Sequence, residues 1–197
     1  MDESARRKVI EYVKPLAVGL DGMTYSGDVE RVAAIARAIA GARSDVDAEL
    51  LDLLAVFSGQ KKWVERMGHG SRTQIFLESL GVPAARIRAL FRGLARLEGA
   101  PSTPEEDLVH DALCIDEMGA IGVARLAQQG YRERLTFEEM ADRIEEAARP
   151  PLRTPAGEAL AAERRAAMRA FARKLRAESL EFSGVRAPEP ASEDPGA

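Results

Sequence analysis

The chain has 197 residues, of which 46% are hydrophobic and 30% charged, and its formal net charge at pH 7 is −4. This length and composition fit one globular domain with its own hydrophobic core. The acidic balance argues against a nucleic-acid-binding surface, and no apolar run reaches the roughly eighteen residues that a membrane-spanning helix needs. A single cysteine, Cys114, and an N-terminus without a signal-type apolar segment favour a cytoplasmic protein.

Apolar residues recur at helical spacing along most of the chain, which predicts an all-α fold. The first such pattern runs from Asp28 to Ala40. The segment Ser44–Asp47 has the form of a capping box and should start the helix Ala48–Phe57. Because that helix is apolar on nearly every face, we expect it to be the buried central helix, ending near Gly59.

The second half of the chain continues the helical pattern. The helix that starts at Pro104 is expected to bend or break at Gly119 and Gly122 on its way toward Gln129, since glycine weakens a helix interior. A helix is also predicted to end at Leu80-Gly81, and further helix starts are predicted at Pro83, at Ser102–Pro104, at Thr136 and at Thr154-Pro155.

The last predicted helix, from Pro155 to about Phe182, combines an apolar stripe with an arginine-rich face, and the length of the stripe favours a homodimer. The chain therefore divides into a helical domain over 1–148, a C-terminal helix over 149–183 that packs on the domain or on a partner, and a Pro-rich tail over 184–197 that should be disordered. The residues of the stripe are Leu160, Ala161, Met168, Phe171, Leu175 and Ala177.

The segment Val109–Arg125, VHDALCIDEMGAIGVAR, resembles the closing segment of HD-superfamily metal-dependent phosphohydrolases. Upstream, Ser26–Val32 is similar to the helix start that carries the first histidine of that family. The likeness covers about residues 25–129. It implies a single HD-like fold for the all-α bundle, for which the helical pattern predicts about eight helices.

Enzymes of this family hold a metal with a histidine, a His-Asp pair and a distant aspartate, and the metal activates water for attack on a phosphoester. On this resemblance Asp28 replaces the first histidine, Ser58-Gly59 replaces His-Asp, and Asp111 keeps the last ligand. Asp28 and Asp111 are thus the leading metal candidates, followed by His69 and His110. Two carboxylates without imidazoles suit at most a weakly bound Mg²⁺ or Mn²⁺, and no other cofactor is expected.

Other readings of the same residues stay open. Asp107, His110, Asp111 and Cys114 share one helix face and could form a relocated half-site. Ser58 could be a nucleophile only if a base lay nearby, and Lys61-Lys62-Trp63 could contact an anion.

Asp111 and Asp116 also have a structural reading. Either carboxylate could cap a neighbouring helix or pair with Arg31 or Arg125, because buried carboxylates are rare unless they are paired. The resemblance places Ser58, Gly59, Asp116 and Arg31 along the cleft.

Three functions are compatible with this pattern. The leading hypothesis is a catalytically degenerate HD-domain protein that binds a small ligand or a protein partner. The rival is a divergent metal-dependent phosphohydrolase acting on a nucleotide or other phosphoester. The third is a structural partner subunit that works through its C-terminal helix.

Overall fold

The computed structural model describes residues 2–14, 26–60, 69–97 and 99–181, and for residues 26–28, 69 and 181 it describes the backbone alone. Every regular element in these ranges is helical, which confirms the predicted all-α fold. Nine α-helices are present here against the roughly eight expected; the first has no counterpart among the predicted ones. They are α1 (Glu3–Val13), α2 (Ser26–Ala40), α3 (Ala48–Phe57), α4 (His69–Ser79), α5 (Ala84–Arg96), α6 (Pro104–Asp116), α7 (Gly119–Glu133), α8 (Phe137–Ala147) and α9 (Pro155–Glu181).

Helix α3 is the centre of the bundle, as its sequence predicts. It packs against α1, α2, α5 and α6, and its residues from Leu53 to Phe57 are all buried. Its start differs from the expected capping box: the cap is Asp47 itself, whose carboxylate accepts hydrogen bonds from the amides of Glu49 and Leu50. Arg86 holds the other oxygen of Asp47, so its side chain cannot reach back toward Ser44 as a capping box requires.

Helices α6 and α7 are separated by a sharp break, as predicted, but only one of the two expected positions is interrupted. The chain leaves α6 at Asp116 and begins α7 at Gly119. Gly122 lies inside α7, where a β-carbon would overlap the backbone carbonyl of Glu117. The second glycine therefore allows the close turn between the helices and does not interrupt α7.

Helix α9 packs on its own chain. It contacts α8 most extensively and also α7, α6 and α2, with Arg176 bonded to Asp142 and Glu145 of α8. The predicted stripe is partly wrong: Ala161 and Met168 are buried, but Leu160 and Phe171 are 38% and 46% exposed. The buried face also includes Ala172, so it is rotated from the predicted stripe.

Two further expectations bear on the rest of the molecule. None of the helices in the described ranges is long and apolar enough to cross a membrane. The tail predicted over 184–197 lies outside the described residues.

We predict that Gly122→Ala lowers the free energy of unfolding by about 1–3 kcal/mol, because the new methyl group must displace backbone at Glu117. Urea-induced unfolding followed by circular dichroism measures the change. Gly59→Ala is the matched control, since nothing lies within 4 Å of a β-carbon built there. Equal stability of the two variants would contradict the proposed tight turn.

Candidate functional site: two buried aspartates and an adjacent cleft

Asp111 is fully buried, and both of its carboxylate oxygens are occupied by the segment that precedes α9. Oδ1 accepts the amide hydrogen of Arg153 at 2.8 Å. Oδ2 accepts the amide hydrogen of Thr154 at 2.8 Å and the Thr154 hydroxyl at 2.7 Å. The neighbouring His110 places Nδ1 3.3 Å from Oδ1. The carboxylate thereby satisfies backbone donors that would otherwise be buried without partners.

These bonds fix the start of α9. The carbonyl of Thr154 accepts the amide hydrogen of Glu158 at 3.0 Å, and its hydroxyl accepts that of Gly157 at 3.0 Å, so Thr154 caps the helix. Gly157 is required at this place, since a β-carbon there would lie 2.5 Å from Asp111 Oδ2. The structural reading of Asp111 as a residue that supports a neighbouring helix start is thus confirmed.

Asp116 lies five residues further along, at the end of α6, between two arginines. Arg31 of α2 binds it through Nε to Oδ1 and through Nη2 to Oδ2, the latter at 3.2 Å. Arg125 of α7 donates to Oδ2 at 3.0 Å and also binds Glu117 at 2.6 Å. Asp116 is only 4% exposed, so two cations compensate one buried carboxylate and join three helices. Both predicted arginine partners are confirmed.

The other positions that the resemblance matches to metal ligands are Ser58, Gly59, Asp28 and His69. Ser58 is half-buried and donates its hydroxyl to the carbonyl of Ala55 at 2.8 Å. Gly59 is exposed, with open space around its α-carbon. Asp28 lies in the first turn of α2 and His69 begins α4, but both side chains lie outside the described part of the structure, as do residues 61–63. Ligation by Asp28 or His69 therefore stays a prediction.

The relocated half-site does not gather three ligands. Among the residues that the structure describes, no three histidine, cysteine, aspartate or glutamate side chains are grouped so that they could hold a metal ion. Oδ1 of Asp107 lies 3.6 Å from Nη1 of Arg153, so this carboxylate is already paired with a cation. Burial, together with the nearby charge of Asp111, raises the pKa of the Cys114 thiol. A raised thiol pKa disfavours the thiolate that metal binding needs.

A cleft of about 710 Å³ opens between α1 and α2, and Arg31 links it to Asp116. Most of its cations are already paired: Lys14 with Glu30 at 2.7 Å, and Arg37 with Asp52 at 2.9 Å. Its basic residues are Arg6, Arg7, Lys14, Arg31 and Arg37, and its acidic residues are Glu3, Glu11 and Glu30.

Arg7 is the exception in this cleft. Its side chain is exposed and has no hydrogen-bond or ion-pair partner within the described ranges. Sequence reasoning missed the cleft because α1 was not predicted. The signal was present, since Val9, Ile10 and Val13 follow helical spacing and are all buried.

Comparison with known proteins gives structural likeness alone. No protein-family model matches the chain. No curated protein matches it either. The solved structure of the Lin1889 protein from Listeria innocua is similar with a TM-score of 0.73 and 19% identity, over 91% of this chain and 98% of that one.

Two further solved structures share the fold. A Lactobacillus plantarum protein has a TM-score of 0.62 and 19% identity, over 91% of this chain and 99% of its own. Bacillus subtilis YpgQ, crystallised in complex with ADP, has a TM-score of 0.67 and 17% identity, over 89% of this chain and 95% of its own. At these identities the likeness establishes the fold of the described chain.

We predict that Asp111→Ala lowers the free energy of unfolding by about 3 kcal/mol, because it leaves buried donors at Arg153 and Thr154 without an acceptor. Urea-induced unfolding measures the loss. Asp107→Ala is the matched control one turn earlier on α6, where a half-exposed ion pair contributes about 1 kcal/mol or less. An Asp111→Ala variant as stable as the control would refute the anchoring role.

Proposed function

We propose that this chain is a catalytically degenerate relative of HD-superfamily phosphohydrolases that binds a phosphate-bearing ligand without hydrolysing it. The observation that carries the proposal is the occupation of both Asp111 oxygens by the segment before α9. A metal at Asp111 would compete with donors at 2.7–2.8 Å that hold a helix start. Displacing them would leave buried amides unsatisfied, which opposes metal binding.

The replaced ligand positions support the same proposal. Ser58 directs its hydroxyl at the carbonyl of Ala55, and Gly59 has no side chain, so neither supplies the imidazole or carboxylate that a divalent metal prefers. Asp116 is the other buried carboxylate of the region, and Arg31 and Arg125 already neutralise it. These side chains serve the packing of helices instead of a hydrolytic centre.

The ligand class follows from the cleft and from one structural neighbour. YpgQ, which shares this fold at 17% identity, was crystallised with ADP. The α1–α2 cleft has a volume in the range that small-molecule sites usually have, roughly 300–1,000 Å³. Arg7 offers it an unpaired guanidinium, the group best suited to bind phosphate oxygens in pairs. A nucleoside diphosphate in this cleft is therefore the ligand that we propose.

We expect ADP to bind the purified full chain in the presence of EDTA, measured by isothermal titration calorimetry. Arg7→Glu should weaken binding at least fivefold because it replaces the unpaired cation with an anion. Lys8→Glu is the matched control: it makes the same charge change on the next residue of α1, which is exposed and does not line the cleft.

The rival function has a distinct outcome in parallel turnover assays with Mn²⁺, Fe²⁺ or Mg²⁺. Metal-dependent release of phosphate from a phosphoester, lost in a folded Asp111→Ala variant, would support the divergent phosphohydrolase and overturn this proposal. ADP binding that requires metal, or that Arg7→Glu leaves unchanged, would contradict ADP binding in the α1–α2 cleft through Arg7.

A further inference from the structure

Glu163 and Arg173 occupy symmetrical positions on the outward face of α9, which also carries the exposed cations Arg169 and Lys174 at its edges. Glu163 and Arg173 are both exposed, and neither has a hydrogen-bond or ion-pair partner within the described ranges. They lie five positions before and five positions after Met168, which is buried on the opposite side of the helix. Two opposite charges placed in this way are complementary to the same face of a second copy turned by 180°.

The residues between and beyond these charges continue the symmetry. Ala166 and Ala170 lie two positions on either side of Met168, and Ala159 and Ala177 lie nine positions on either side. All four alanines are exposed. From Ala159 to Ala177 the six residues alternate in steps of four and three, the spacing of a coiled-coil seam. They fall within about 80° of the helix circumference.

We propose that α9 binds α9 of a second copy of this chain, antiparallel, across this seam. In the pair, Glu163 of each copy faces Arg173 of the other, so two ion pairs form. Ala166 faces Ala170 at the centre, and Ala159 faces Ala177 at each end. The small side chains let the helix backbones approach closely, and the exposed Arg169 of each copy lies at the edge of the seam.

The size of the seam sets the expected strength. From Ala159 to Ala177 it extends about 27 Å, at 1.5 Å per residue. Such a contact buries on the order of 1,000 Å², which is at the low end for specific interfaces, so we expect a weak dimer. The pairing does not involve the α1–α2 cleft and does not depend on the proposed ligand.

The test is a charge exchange on the full-length chain, followed by sedimentation equilibrium over a concentration series. The parent chain should form dimers. Glu163→Arg and Arg173→Glu should each raise the dissociation constant at least tenfold, because each sets like charges opposite one another at two places. The double exchange carrying both changes should restore dimerisation to within about threefold of the parent, since it re-creates two opposite-charge pairs.

Arg92→Glu on α5 makes the same change in net charge as Arg173→Glu and controls for it, since Arg92 is also exposed and unpartnered in the described part of the chain. It should leave association unchanged. All substituted positions are exposed on helices and accept good helix formers, so circular dichroism should show equal helix content. A parent chain that stays monomeric at millimolar concentration would overturn the proposal. So would dimers insensitive to the single changes, or a double variant that fails to recover.

Discussion

The bonds from Asp111 to Arg153 and Thr154 are the interaction on which the rest of this structure depends. They join the middle of α6 to the start of α9, forty-two and forty-three residues further along the chain. Helix α9 then covers α8, α7, α6 and α2. Without the Asp111 carboxylate, the Thr154 hydroxyl and amide would lose their hydrogen-bond acceptor, and the start of α9 would no longer be held against α6.

A second buried carboxylate, Asp116, organises the C-terminal end of α6. Asp116 is bound by Arg31 from α2 and Arg125 from α7, and Gly122 allows α7 to start close beside it. The two aspartates of the segment that resembles the HD family thus both perform structural work. Gly122 and Arg125 of this segment also serve the turn between α6 and α7. Packing alone therefore accounts for these residues of the segment.

The helices were largely predictable from the sequence because their starts carry local signals. Thr103-Pro104 and the capping box at Thr136 act within one turn, and both begin helices where the sequence indicates. Predictions failed where tertiary contacts decide. Arg86 and the helix amides fix Asp47 as the cap of α3, and contact with α8 rotates the buried face of α9 away from Leu160 and Phe171.

The candidate site was less predictable than the fold. The sequence offered Asp111 equally as a metal ligand and as a structural acceptor, since a carboxylate serves both purposes. Which role Asp111 has depends on the amide donors of Arg153 and Thr154, and these residues lie more than forty positions further along the chain. The α1–α2 cleft was missed because α1 was not predicted, and the lining of the cleft depends on how α1 and α2 pack together.

The bonds from Asp111 to the start of α9 should persist when a divalent metal is present. Amide hydrogen exchange of Arg153 and Thr154 tests this anchoring most directly. It is followed by NMR with and without millimolar Mg²⁺, which replaces Mn²⁺ because Mg²⁺ is diamagnetic. We predict slow exchange of both amides, unchanged by the metal. Fast exchange without metal would contradict the anchoring role of Asp111. Loss of protection when Mg²⁺ is added would show that a metal competes for its oxygens.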